Sequence, residues 1–178
     1  MTSPSASSRA AIRFSTCDLC DSLKSDSSGA TRWLPGSLYR SYGGQARFAG
    51  PVATVRCLDD NTPVKAAVES FGAGRVLVVD GGASLRRALV GGNLAASAAK
   101  NGWAGVLVHG AVRDLEELRA AAVGIFALGH VPMPTERREP GLADLPVQIE
   151  GVWIRPGDWL YADEDGVVIT PSAVHPAG

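Results

Sequence analysis

The sequence predicts an α/β domain: a central, mostly parallel sheet followed by a C-terminal antiparallel β segment. Three observations predict it. Continuous apolar runs over residues 75–80, 103–109 and 123–128 read as strands buried on both faces. Helical patterns lie between them, and strand–helix alternation builds a parallel sheet with right-handed crossovers. Beyond residue 146 the pattern changes to short strands separated by tight turns.

Taken in order, Ser/Ala-rich residues 1–13 read as a disordered lead-in. Residues 16–23 form a short helix that Thr16 can cap, with Leu19 and Leu23 on one face. Residues 25–37, rich in Ser, Gly and Pro, read as a loop, and 47–58 as extended chain broken at Gly50-Pro51. Residues 63–71 suit a helix with Pro63 in its first turn. After the strand at 75–80 come the Gly81-Gly82-Ala83-Ser84 loop, a helical stretch at 85–90 and a second helix at 93–100. The strand at 103–109 leaves through the loop Gly110-Ala-Val-Arg-Asp114, and a helix at 115–122 leads to the strand at 123–128. Strands at 147–149, 152–154, 159–162 and 167–170 follow, with turns at Glu150-Gly151, Pro156-Gly157 and Asp165-Gly166. The 178 residues fit a single layered domain over 14–171, with a tail over 172–178.

Composition removes several function classes. Seventeen basic and 18 acidic residues give a net charge of −1, so no cationic field favours nucleic acid as a direct partner. No apolar run approaches the roughly 20 residues that span a bilayer, and the N-terminus lacks a signal-peptide core, which points to the cytoplasm. Three cysteines cannot close a disulfide framework among themselves. Cys17 and Cys20 make a CxxC without a second ligand pair, and read as small apolar residues of a helix.

Ligands of parallel α/β sheets bind beyond the carboxyl ends of the strands. Two loops there carry chemistry. Gly91-Gly92 lets backbone approach a ligand, and Asn93 and Leu94 open a helix whose free N–H groups suit a carboxylate. A plain turn with an Asn cap explains the same residues. In the second loop, the Arg113 guanidinium offers a planar fork for a carboxylate or enolate oxygen, and Asp114 can hold a hard cation. An Arg on the surface with Asp as helix N-cap explains that pair equally, and spacing does not separate the two readings. Asp163-Glu164-Asp165-Gly166 is acidic but reads as a hairpin turn. His109, at a strand end near Arg113, reads as a hydrogen-bonded structural histidine. His130 and His175 are in loops without partners at metal-ligand spacing. The chain has no GxSxG elbow, no P-loop and no full dinucleotide fingerprint.

Several blocks occur in a telling order: Val78-Val-Asp-Gly-Gly-Ala-Ser-Leu85, Ala88-Leu-Val-Gly91, Asn101-Gly-Trp-Ala-Gly-Val106, His109-Gly-Ala-Val-Arg-Asp114, Ala127-Leu-Gly129, and 156–167. Together they resemble the class II aldolase/RraA-like family, over roughly residues 14–171. The family includes 4-hydroxy-4-methyl-2-oxoglutarate aldolases and regulators of ribonuclease activity. The resemblance implies a layered β/β/α, swivelling-type domain assembled as a homotrimer. It implies a C–C lyase dependent on Mg²⁺ or Mn²⁺ that cleaves 4-hydroxy-4-methyl-2-oxoglutarate to pyruvate, or decarboxylates oxaloacetate. On that pattern Gly91, Gly92, Asn93 and Leu94 contact the small 2-oxo acid, Arg113 grips its carbonyl or enolate oxygen, and Asp114 ligates the metal. The alternative it implies is a trimer that binds and inhibits a ribonuclease E-type partner.

Two departures stand out. Active aldolases of the family carry an acidic residue where this chain has Gly92, which puts proton transfer in question. And Val131-Pro-Met-Pro-Thr135 replaces a basic stretch of many relatives.

Overall fold

The chain assembles around one long strand that belongs to two sheets at once. The computed structural model describes residues 13–138 and 140–174. Most of the expected lead-in, the end of the expected tail and His175 lie outside these residues. In chain order the elements are α1 (Thr16–Leu23), β1 (Arg32–Pro35), β2 (Arg40–Ser41), β3 (Phe48–Arg56), α2 (Thr62–Val68), β4 (Val76–Asp80), β5 (Ala88–Val90), α3 (Gly92–Lys100), β6 (Gly105–Val112), α4 (Leu115–Ala120), β7 (Gly124–His130), β8 (Leu142–Ala143), β9 (Val147–Ile149), β10 (Val152–Ile154), β11 (Trp159–Asp163) and β12 (Gly166–Thr170).

The first half of β3, Phe48 to Pro51, runs antiparallel to β11, while Val52 to Arg56 runs parallel to β4. The expected break at Gly50-Pro51 is therefore a change of partner within a continuous strand. Proline, which lacks a ladder N–H, is tolerated at such a place. From β3 the parallel sheet continues through β4, β6 and β7, with β2 antiparallel on β7. On the other side β11, β12 and β1 form the antiparallel layer.

Side chains alternate between two cores, as a period of two requires. On β4, Leu77 and Val79 face α2, α3 and α4, while Val76 and Val78 face the antiparallel layer. On β6, Val106 and Val108 take the helical side and Leu107 the other. The result is the expected β/β/α stack, with the middle sheet buried on both faces. A third cluster packs Phe14 and Leu19 of the N-terminal segment on Tyr161 and Val168 of the outer layer.

Several local expectations change. Ser15, not Thr16, caps α1, accepting from the Asp18 N–H. Thr16 is spent on Asp163, which accepts from its N–H at 2.8 Å and its hydroxyl at 2.6 Å. The loop expected over 25–37 contains β1, recruited by pairing with β12. The helix expected over 85–90 is replaced by β5, which runs beside the far end of β6, beyond the point where β4 stops. The CxxC lies on α1 as expected, but Cys17 is exposed and only Cys20 joins the apolar packing. Asp163 is buried and accepts from the Asp165 N–H, so the acidic run is a hairpin turn, with Glu164-Asp165 as its two loop residues. Among the described residues, no helix is long and apolar enough to cross a membrane.

Candidate active site

The carboxyl end of the parallel sheet brings the two suspected loops into contact. The Arg113 N–H donates to the Val90 carbonyl at 2.9 Å, extending the β5–β6 pairing and placing Gly91 against Arg113. Gly91, rather than an Asn, stands at the N-cap of α3 with extended backbone. Its carbonyl accepts the Ala95 N–H, which leaves the N–H groups of Gly92, Asn93 and Leu94 outside the helical ladder.

Asp114 turns back onto this helix start. It occupies the N-cap position of α4 but adopts a left-handed conformation, φ 60° and ψ 51°, and makes no side-chain cap. Its Oδ2 instead accepts the Gly92 N–H at 3.1 Å and lies 3.5 Å from Arg113 Nε. The cap explanation for Asp114 thus fails: the carboxylate serves the neighbouring helix start, leaving Oδ1 without a partner among the described residues. A left-handed non-glycine residue costs roughly 1–2 kcal/mol, and such strain tends to persist where surrounding structure demands it.

Both glycines are required by close approach. A Cβ on Gly91 would lie 2.6 Å from Asp114 Oδ2 and 3.3 Å from Arg113 Nε. A Cβ on Gly92 would overlap Oε2 of Glu117 and lie 2.5 Å from its Cδ. Glu117, on α4, thus directs its carboxylate into the space that a side chain at position 92 would occupy. Residue-by-residue reading passed over it. Its signal was the spacing of three from Asp114, which puts both acids on one face of the first turn of α4, beside Gly92.

The arrangement can hold a divalent cation. Asp114 and Glu117 converge on Gly92, and a hard cation such as Mg²⁺ takes one or two carboxylates, with water and substrate oxygens completing its shell. Among the described residues no group of three or more His, Cys, Asp or Glu is gathered as a metal site. Arg113 and Asp114 side chains are a little over one-third exposed, so a ligand can reach them.

His109 is not part of this cluster. It faces the antiparallel layer, with Nδ1 3.2 Å from the Tyr39 hydroxyl and Nε2 3.4 Å from Glu150. Burial lowers its pKa, opposed by the carboxylates of Glu150 and Asp80. Its structural reading holds. His130 lies at the end of β7, 3.2 Å from the Tyr42 hydroxyl through Nδ1.

This fold and loop arrangement define the class: the chain belongs to the RraA-like family, whose Aldolase/RraA profile matches residues 16–169. A protein of Albidiferax ferrireducens, provisionally named a 4-hydroxy-4-methyl-2-oxoglutarate aldolase, is 60% identical over 88% of this chain and 94% of its own length. The structure of the RNA-processing inhibitor RraA from Thermus thermophilis superposes with a TM-score of 0.85 at 46% identity, covering 94% of this chain and 97% of that one. That of an S-adenosylmethionine:2-dimethylmenaquinone methyltransferase from Geobacillus kaustophilus gives 0.84 at 39% identity, covering 93% and 100%.

Proposed function

We propose that the chain is a divalent-metal-dependent lyase that cleaves a C–C bond next to a 2-oxo acid, releasing pyruvate. The observation that carries this reading is the convergence of Asp114 and Glu117 on Gly92, beside the guanidinium of Arg113. The names of close relatives support the substrate, 4-hydroxy-4-methyl-2-oxoglutarate, and oxaloacetate, whose decarboxylation gives the same pyruvate enolate, is a second substrate under this reading.

Asp114 would ligate the cation, Mg²⁺ or Mn²⁺, which polarises the 2-oxo group when bound. The free N–H groups of Asn93 and Leu94, at the positive end of α3, would hold the substrate carboxylate, with Gly91 and Gly92 allowing its approach. Arg113 would hold the oxygen that becomes negative as the C3–C4 bond breaks. In aldol cleavage the 4-hydroxyl must lose its proton. Glu117, whose carboxylate lies beside Gly92, would take it, and the electrons of the broken bond would pass into the enolate of pyruvate, which is then protonated at C3. Decarboxylation of oxaloacetate breaks the corresponding bond without a hydroxyl proton to remove.

That difference supplies the test. Pyruvate release is measured from both substrates, with and without EDTA. Asp114→Ala is expected to lower both rates by about 10²–10³-fold, the usual effect of removing one positioned charge stabiliser. Glu117→Gln is expected to reduce aldol cleavage far more than decarboxylation. Wild-type rates no higher than those of Asp114→Ala refute the lyase reading.

A second reading has one observation in its favour, the close superposition on an RNA-processing inhibitor. In it the chain, a homotrimer like the lyase, binds and inhibits a ribonuclease E-type enzyme through protein contact. Co-purification with such an enzyme tests it, and the lyase variants above would leave that binding unchanged.

A further inference from the structure

Two arginines stand in tandem ahead of β5, and only one has a close carboxylate partner. Arg86 grips Asp59, with Nε at 2.8 Å and Nη2 at 2.5 Å from Oδ2. Arg87 donates from Nη1 to the Pro134 carbonyl at 2.8 Å, and its nearest carboxylate, half-exposed Glu136, is 4.0 Å from Nη2. At that distance and exposure an ion pair is weak. Arg87 therefore keeps donors and positive charge to offer.

The segment that Arg87 holds also touches Arg113, whose Nη1 lies 3.5 Å from the Pro132 carbonyl. This segment, Val131-Pro-Met-Pro-Thr135, is stiff. Two prolines fix φ, and each residue before them is pushed to extended backbone. It is also pinned: the Val131 N–H donates to the Val112 carbonyl, the Ala88 N–H to that of Met133, and the Thr135 hydroxyl to Asn61. Two residues of extended chain span about 6–7 Å. The carbonyls that receive Arg113 and Arg87 are thus two residues apart on one stiff segment, which anchors both guanidiniums within a span of the order needed to reach from the 2-oxo oxygen to the distal carboxylate of a five-carbon diacid. Met133, 54% exposed, lies between them in sequence and offers apolar contact to an aliphatic middle.

We propose that Arg87 is the receptor for the distal carboxylate of a dicarboxylic 2-oxo acid whose 2-oxo end is gripped by Arg113. This rests on the lyase reading and adds a specificity residue to it. Arg87 sets a preference for dicarboxylic over monocarboxylic aldols.

The test compares 4-hydroxy-4-methyl-2-oxoglutarate with 4-hydroxy-4-methyl-2-oxopentanoate, in which a methyl group replaces the distal carboxylate. Arg87→Gln is expected to lose about 10- to 100-fold in kcat/KM on the diacid, mainly through KM, and to keep its rate on the monoacid. Arg87→Lys should recover part of the loss, because it restores the charge without the fork. Equal losses on both substrates, or none, overturn the proposal. Cleavage of neither substrate by the wild type is instead a failure of the lyase reading. In that case calorimetry with Mg²⁺ compares 2-oxoglutarate with 2-oxobutanoate. A wild-type preference for the diacid that disappears in Arg87→Gln upholds the proposal, and an unchanged ratio overturns it.

Discussion

Gly92 and Glu117 share one volume, and that makes their substitutions interdependent. An aspartate at position 92 would add an acid beside Asp114, but its Cβ would strike the Glu117 carboxylate. Gly92→Asp alone is therefore expected to lower aldol cleavage. Pairing it with Glu117→Gly should recover much of the wild-type rate, measured as kcat/KM, because that change removes the Glu117 Cβ, 2.7 Å from the new one, together with its carboxylate, and leaves one acid. If the single variant gains activity by orders of magnitude, Glu117 is not the group that occupies the acid's role. Asp114 allows a companion measurement. Asn adopts left-handed backbone about as readily as Asp, so Asp114→Asn should melt close to the wild type while losing about 10²-fold or more in turnover. A large fall in melting temperature would show that Asp114 is held mainly for the fold.

Among the elements, the β9–β10 hairpin carries the clearest pH dependence. Its turn residue Glu150 meets His109, which Tyr39 contacts from the other side. Asp80, itself paired with Arg56, is the other carboxylate acting on this imidazole. Burial depresses the His109 pKa below 6.5, so the unfolded chain binds the proton more readily. The contribution to stability is complete above 6.5 and declines as pH falls below it. Melting temperatures recorded from pH 8 to 5 should fall less steeply for His109→Gln than for the wild type, and parallel curves would contradict this account.

Elements also show what could be seen in the sequence. The runs that became β4, β6 and β7 were legible because burial on both faces leaves no polar alternation, and β9 to β12 because their turns carry Gly, Pro and acidic residues. β5 was misread as helix because its short apolar stretch has no period of its own, and its strand identity comes from the vacated edge of β6. Of the site, Arg113, Asp114 and the two glycines stood out by their place in loops beyond the strand ends, while spacing left a helix cap and a plain turn as equal readings and the family resemblance supplied their roles. Glu117 did not, because its meaning depends on which backbone atom it faces across two helices.

At the scale of the whole molecule, Asp163 joins distant parts of the chain. It accepts two hydrogen bonds from Thr16 across 147 residues of sequence and is 2% exposed. Asp163→Ala should destabilise the fold by about 2–3 kcal/mol, since buried bonds to a charged group are among the stronger ones, and denaturant unfolding measures it. A change below about 0.5 kcal/mol, the range of neutral surface substitutions, would mean that α1 is held by its apolar face alone.

Tyr161 receives the chain at both of its described extremities: its ring meets Phe14 edge-on with centroids 5.4 Å apart, and its hydroxyl donates to the Val174 carbonyl. Entry and exit therefore lie side by side on one aromatic side chain. A circular permutant, its old ends fused by a short glycine-rich linker and reopened in the exposed 25–30 region, should reach the same fold. Relocating the ends in this way would put a fusion partner or surface tether on the far side of the antiparallel layer, with Arg113 and Asp114 left unobstructed.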